Sequence, residues 1–381
     1  MNNFTRLSQI SQYMHLEPAE DAACSRKSAH TSSHEAYISS AVLPNGKRIK
    51  LMKSLLTSAC ERNCYYCPFR AGSDFRRQTF KPDEMASTFV SLYRAGLVEG
   101  IFLSSGIAGG GVRTQDKLIA TAEILRKKYQ YRDYLHLKLM PGAEHEQVMQ
   151  SMLLADRVSV NLEAPNSNRL EKLAPKKVFL DELLQTLRWV DEIRHSHSPH
   201  LAWKGRWPSM TTQFVVGAVG DTDLELLTTT ANLHQHVGLG RAYYSAFRPI
   251  TGTPFENLAP ESPLREHRLY QASFLLRDYG FDLEELPFQS DGRLPMDMDP
   301  KRAWASAHLQ ENPVDVNRAG RQQLLRIPGI GPKGASAILA AQRKGTLRTP
   351  EDLRKIGVNP SRSLPYILMN GVRPARQLAF W

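Results

Sequence analysis

Three cysteines within eight residues, in the segment TSACERNCYYCPFR, are the strongest chemical signal in this 381-residue chain. Cys60, Cys64 and Cys67 are spaced C-x3-C-x2-C. Thiols this close, in a chain without a secretory leader, more often bind metal or do redox chemistry than pair as disulfides. Iron–sulfur clusters are held by cysteine thiolates, and a four-iron cluster ordinarily takes four. Three protein ligands would leave one iron open to a substrate or cofactor. The alternative is zinc. Structural zinc sites close with four protein ligands, and nothing near this triplet offers a fourth.

The loop must hang on a scaffold, and the flanking sequence describes one. Short apolar runs rich in β-formers recur at IKLMKSLL (49–56), IFLSS (101–105), LHLKL (135–139), RVSVNLEA (157–164), TTQFVVGAV (211–219) and AYYSAFRPI (242–250). Amphipathic stretches such as PDEMASTFVSLYRAGL lie between them. Strand–helix alternation with nearly continuous apolar strands predicts a parallel sheet covered by helices. Six such units fall short of an eight-stranded barrel and suit an incomplete, TIM-like (β/α)6 one. The cysteines then follow the first strand, at the C-terminal ends of the parallel strands, where barrel enzymes place their chemistry.

Composition sets the remaining bounds. Hydrophobic residues make up 41% and charged residues 23%, an ordinary globular profile. The N-terminus lacks an apolar secretory core, and no stretch approaches the roughly 18 apolar residues of a membrane span. The expectation is a soluble cytoplasmic protein with no membrane partner. The net charge of +11 is concentrated in the tail, where residues 313–381 carry 12 Lys and Arg against 3 Asp and Glu. We therefore divide the chain into an N-terminal extension (1–48, with a hairpin turn at Asn45-Gly46), a barrel domain (49–290), a Pro/Asp-rich linker (291–312) and a basic, all-helical C-terminal domain (313–381).

The cysteine spacing, the aromatic Tyr66 just before the last cysteine, and the position after strand one together resemble the radical S-adenosylmethionine (SAM) superfamily. The resemblance covers roughly residues 49–290. It implies a [4Fe–4S] cluster on Cys60, Cys64 and Cys67, SAM bound at the open iron, and reductive cleavage of SAM to a 5′-deoxyadenosyl radical. An electron donor such as flavodoxin or ferredoxin would be a partner. The turn SSGIAGGG corresponds to the family's grip on the methionine end of SAM, which nominates Ser104, Ser105 and Gly106, although serines replace the usual Gly-Gly-Glu form. VNLEAP resembles the ribose-contacting strand and nominates Asn161 and Glu163. FVVGAVGDTD resembles the adenine-side motif and nominates Gly217 and Gly220. RPITGTP looks like a Pro-x-x-Gly-Thr-Pro turn of several subfamilies. For each of these, a satisfied barrel residue is the plainer reading.

The basic tail contains NRAGRQQLLRIPGIGPKGASAILAAQRKG, which resembles a helix-hairpin-helix motif. Helices are expected over Gly320–Arg326 and Lys333–Arg343, around a Pro-Gly-Ile-Gly-Pro hairpin. Glycines allow a tight turn and close approach to a phosphate, and the following helix start offers free N–H groups. Gly329, Gly331, Lys333 and Gly334 are the candidate contacts. A second, degenerate copy follows, with Thr349 capping, Pro350 opening a helix and Ile356-Gly357-Val358 as its turn. Paired motifs of this kind bind duplex DNA through phosphates with little sequence readout; a hairpin used for protein contacts is the alternative.

The whole chain resembles a family of DNA modification or repair radical SAM proteins with a C-terminal helix-hairpin-helix region. That implies an enzyme acting on DNA, on a nucleotide presented to the barrel mouth. A radical SAM enzyme acting on RNA, a small-molecule enzyme tethered by its tail, and a non-catalytic iron–sulfur DNA-binding redox sensor remain open. Trp203 and Trp207, interleaved with Lys204 and Arg206, offer base stacking or simple anchoring. Cys24 offers hydrogen-atom donation to a substrate radical, or nothing.

Overall fold

The computed structural model describes residues 2–17, 37–42 and 46–374; Cys24 and Asn45 lie outside them. The chain divides into two compact units, Met1–Asp221 with Asn232–Glu261, and Thr222–Ala231 with Ser262–Trp381.

The first unit is an α/β half-barrel. Its sheet runs β1 (Ile38–Val42), β2 (Arg48–Leu55), β3 (Gly100–Ser104), β4 (Tyr134–Lys138), β5 (Arg157–Glu163), β6 (Ser209–Val216) and β7 (Arg241–Ala246), in sequence order. All six expected strands form, and each pairs in parallel with the next, as a partial TIM-like barrel requires. β3 and β5 are buried at every residue, because a parallel sheet is covered on both faces. A typical crossover helix, Pro82–Arg94, opens with Pro82, Asp83 and Glu84 in its first turn and ends on Arg94, complementing its dipole. It buries Met85, Ala86, Phe89, Val90 and Leu92.

The N-terminal extension is part of this unit. β1 pairs antiparallel with β2, joining the edge of the sheet. Helix Asn3–Ser11, capped by the Asn2 side chain, buries Leu7 and Ile10. Its Ser11 hydroxyl donates to the Lys53 carbonyl on β2 at 3.1 Å. Five residues on, the Leu16 carbonyl accepts from Gln213 Nε2 on β6 at 2.8 Å. The segment thus crosses from the first parallel strand to the fifth.

The second unit contains helices Pro263–Asp278, Pro300–His308, Arg321–Arg326, Pro332–Gln342 and Pro350–Lys355. Two expectations change here. The stretch 291–312 is not a free linker: Asp299 accepts the Arg302 N–H at 2.9 Å and caps the helix that Pro300 opens, while Ala305 and Leu309 are buried in the core with Leu324, Ile330 and Ile338. Asp-Pro reads as a loop, yet it is also a helix start. Nor is the tail purely helical, since β8 (Val314–Asp315) pairs in parallel with β9 (Ile367–Leu368). Two-residue strands leave no periodicity to read.

Candidate active site

The cysteine loop leaves β2 at the C-terminal end of the parallel sheet and is fixed on three sides. Arg77 closes it from within: Nη1 donates to the carbonyls of Ser58 (2.9 Å) and Phe69 (2.7 Å), and Nη2 to those of Arg70 (2.8 Å) and Ser73 (3.3 Å) and to Ser73 Oγ (3.0 Å). A planar guanidinium with five donors can gather so many acceptors, and a lysine cannot. Glu61 ties the loop to the turn after β3, its Oε2 accepting the N–H groups of Gly109 (3.1 Å) and Gly110 (3.3 Å). Arg62 ties it to residues 176–182, donating to the Lys176 carbonyl and pairing with Glu182. Gly106 sits directly against the loop, where a Cβ would lie 2.3 Å from the Ala59 carbonyl oxygen. Only glycine fits there.

The loop carries three free thiols, Cys64 buried and Cys60 and Cys67 half-buried. All three line one cavity of about 790 Å³, open mouth included. Tyr66, Ser104, Ser105, Gly106, Asn161 and Glu163 line the same cavity, so the structure brings together six of the eight residues nominated for SAM. Gly217 and Gly220 are not among its lining residues. They shape the turn after β6, where both have positive φ and the Gly217 N–H donates to the Asp221 carboxylate.

Sequence reasoning missed the charged part of the wall. Lys177 pairs with Glu163 at 2.7 Å, and Lys138, at the end of β4, pairs with Glu17 at 2.5 Å. Glu163 has φ +65° beside a register shift in β5, a conformation that costs a non-glycine residue and clusters at functional sites. Its Oε2 is buried without a hydrogen-bond partner. Burial opposes its ionisation, but Lys177 and Lys138 hold its carboxyl below the usual range. Burial pushes the Cys64 thiol up to about 11, against the pull of Lys177, and with help from Cys64 it also holds the Cys67 thiol well above its ordinary value. Free of metal, these thiols stay protonated, so ligation must release protons. Lys138 carried a sequence signal, a lysine two residues after His136 in an otherwise apolar strand. Lys177 carried none.

The residues fit an iron–sulfur cluster with SAM on the chemistry of their donors: three thiols, a carboxylate with an unpartnered oxygen and strand-end hydroxyls line one cavity. Among the described residues, no group of three or more His, Cys, Asp or Glu gathers as a site for a metal ion.

The tryptophan loop is elsewhere. Trp203 lies under the Arg126 guanidinium at 4.0 Å, and Lys204 pairs with Asp156, the residue before β5. This is the N-terminal end of the strands, opposite the cysteine loop, and Trp203 there is an anchor.

In the second unit, helices Arg321–Arg326 and Pro332–Gln342 flank the expected hairpin, with φ +84° at Gly329. Gly331 has φ −100°, so the conformational demand for glycine falls on Gly329. Gly329, Gly331, exposed Lys333 and Gly334 line one shallow cleft with Gly357, Val358 and Asn359, from the second copy. Lys301 supports the hairpin from behind, donating to the Ile330 carbonyl at 2.6 Å over the Tyr279 ring.

Among known proteins, the family model described as the Radical SAM superfamily matches residues 54–202. No curated protein matches the chain. Among solved structures, the FeFe-hydrogenase maturase HydG from Carboxydothermus hydrogenoformans is 16% identical over 59% of this chain and 51% of its own, with a TM-score of 0.47. Methylornithine synthase (PylB) is 14% identical over 59% of this chain and 61% of its own, with a TM-score of 0.47. A radical SAM methyltransferase from Sphaerobacter thermophilus is 15% identical over 70% and 84%, with a TM-score of 0.43. The chain thus spans about half the length of the maturases it matches, and overlaps this distant carry no argument about substrate. No helix among the described residues is long and apolar enough to cross a membrane. Residues 54–202 are a radical SAM superfamily domain, the hallmark of enzymes that work with a [4Fe–4S] cluster and SAM.

Proposed function

We propose that this chain is a radical SAM enzyme acting on DNA, with its cluster on Cys60, Cys64 and Cys67. The observation that carries the first half is the shared cavity: the three thiols line it together with Ser104, Ser105, Asn161 and Glu163, residues nominated independently from other strands. When bound, the cluster and SAM supply a 5′-deoxyadenosyl radical, and the protein supplies placement and dryness. The thiolates hold the irons. Ser104, Ser105 and the backbone at Gly106 grip the methionine end, and Asn161 and Glu163 take the ribose hydroxyls. Lys177 balances the thiolate charge beside it. An acidic electron carrier such as flavodoxin or ferredoxin is the partner this chemistry requires.

The DNA half rests on the cleft formed by Gly329, Gly331, Lys333 and Gly334 with the Gly357 turn, and on the basic excess of residues 313–381. Backbone N–H groups at the start of Pro332–Gln342 meet phosphates, and Lys333 adds charge. Equilibrium binding of a duplex, a structured RNA of equal length and no nucleic acid, read together with SAM cleavage under reductant, tests it. Preference for RNA would transfer the same site to RNA. SAM cleavage without any nucleic-acid binding would remove the DNA assignment and keep the enzyme.

A further inference from the structure

One lysine of the second unit takes no part in the chemistry above. Lys301 stands in the first turn of the helix Pro300–His308. It is half-buried, and its Nζ donates to the Ile330 carbonyl at 2.6 Å, 4.6 Å from the centroid of the Tyr279 ring. No carboxylate pairs with it among the described residues. Asp299 directs its Oδ1 to the Arg302 N–H, and Glu285 is taken by Arg326. An ammonium withdrawn from water without a counter-ion gives up its proton more readily than a solvated one. Burial favours the neutral amine, Asp299 opposes it, the Arg326 guanidinium favours it again, and the ammonium titrates at about 7.

The amine is not sealed in. It lines a cavity of about 440 Å³, open mouth included, together with Asp299, Gln271, Phe274, Leu275 and Tyr279. Gln271, Phe274 and Leu275 belong to the helix Pro263–Asp278, and Tyr279 ends it. Leu275 is buried, while Phe274 and Tyr279 are half-buried, so two rings and a leucine border the space beside the nitrogen. Gln271 adds little polarity, since its Oε1 already accepts from Arg268 at 2.9 Å. A partly desolvated amine beside an apolar pocket is the setting in which lysine acts as a nucleophile rather than as a charge.

We propose that Lys301 is a carbonyl-capturing nucleophile, and that the cavity beside it takes a small aldehyde bearing a flat apolar group. The Nζ lone pair attacks the carbonyl carbon, and a C–N bond forms as the C=O double bond opens to a hydroxyl. That hydroxyl then leaves as water. The oxygen carries away both protons of the amine, and a C=N bond joins the ligand to Lys301. Nothing is oxidised or reduced, and no co-reactant is needed. Phe274, Leu275 and Tyr279 offer the surface against which the flat group packs. The site goes beyond the reading above and stands or falls without the cluster.

The test treats full-length protein at about pH 7 with benzaldehyde and sodium cyanoborohydride, which reduces an imine to a stable secondary amine. Peptide mass spectrometry then maps the labelled lysines. Lys301 should be labelled at least roughly tenfold faster than the exposed Lys333, because solvated lysines are almost wholly protonated there. The rate should level off as benzaldehyde rises, as a bound complex requires. Phe274→Ala should raise the half-saturating concentration roughly three- to tenfold, the scale of one lost aromatic contact, with circular dichroism unchanged. In urea the preference for Lys301 should vanish. Labelling of Lys301 no faster than Lys333, or a preference that persists in urea, overturns the inference. A rate that climbs linearly with benzaldehyde and ignores Phe274→Ala overturns it as well, since the amine would then have no binding cavity.

Discussion

The Lys177 ammonium lies 2.7 Å from the Glu163 carboxylate, both nearly buried, on the wall that the cluster cysteines share. Breaking a buried pair by removing one partner strands the other charge, at a cost of roughly 3–5 kcal/mol. Lys177→Met should therefore destabilise the first unit by about that amount in urea unfolding, and Glu163→Gln by less, because the glutamine carbonyl can still accept a hydrogen bond from the stranded Lys177 ammonium.

The same pair sets a pH dependence. The Glu163 carboxyl titrates below its unfolded value, so its contribution is fully present above that value, roughly pH 4.3, and is lost as pH falls through the lower folded value. The difference in unfolding free energy between the wild type and Glu163→Gln should shrink across that acid window. A constant difference down to pH 3 would contradict the assignment.

Lys301 gives a slope of the same sign, in an alkaline window. Burial, only partly opposed by Asp299, lowers its ammonium to about 7. Between there and the ordinary lysine value of roughly 10.4, the unfolded chain holds a proton that the folded chain has released, so stability rises with pH. Lys301→Met should flatten that rise in the unfolding of the second unit, and should loosen the hairpin by removing the bond to the Ile330 carbonyl.

Arg77 is expected to be a positioning residue for the cluster loop. Arg77→Lys keeps the charge and loses the fork. It should lower iron incorporation and alter the electron paramagnetic resonance line shape of the reduced cluster, while circular dichroism stays native. An unchanged spectrum would show that the loop holds itself without the guanidinium.

The hairpin should bind duplex DNA with log-linear salt dependence, losing roughly 0.9 log units per tenfold salt for each phosphate neutralised. Lys333→Ala should flatten the slope by about one contact and weaken all sequences alike. Gly329→Val should do more damage, since valine is strained at φ +84°; at Gly331 a side chain has only to displace the Tyr279 hydroxyl, 3.2 Å from the Cβ position. Truncation before Pro313 should destabilise what remains of the second unit, because Ala305 and Leu309 would lose their core partners.

Most of the scaffold was legible because local rules and the tertiary fold agree. Apolar β-rich runs became β2 to β7, Thr349 and Pro350 opened a helix, and Gly329 took the left-handed turn. Strand-end residues that carried a motif, such as Ser104 and Asn161, reached the cavity together. What stayed hidden was set by contacts distant in sequence. Glu17 meets Lys138 across 121 residues and Arg62 meets Glu182 across 120, and neither pair leaves a periodic trace. Asp299-Pro300 misled because its composition suits a loop and a helix start equally, and only the burial of Ala305 and Leu309 decides between them.

The most direct measurement is the metal content and spectrum of protein purified and reconstituted without oxygen. A brown protein with about four irons is expected, the number of a single cubane cluster. The signal should be lost when any of Cys60, Cys64 or Cys67 is replaced by alanine, and kept in Cys24→Ala. One zinc per chain, or iron that survives replacement of all three cysteines, would contradict it.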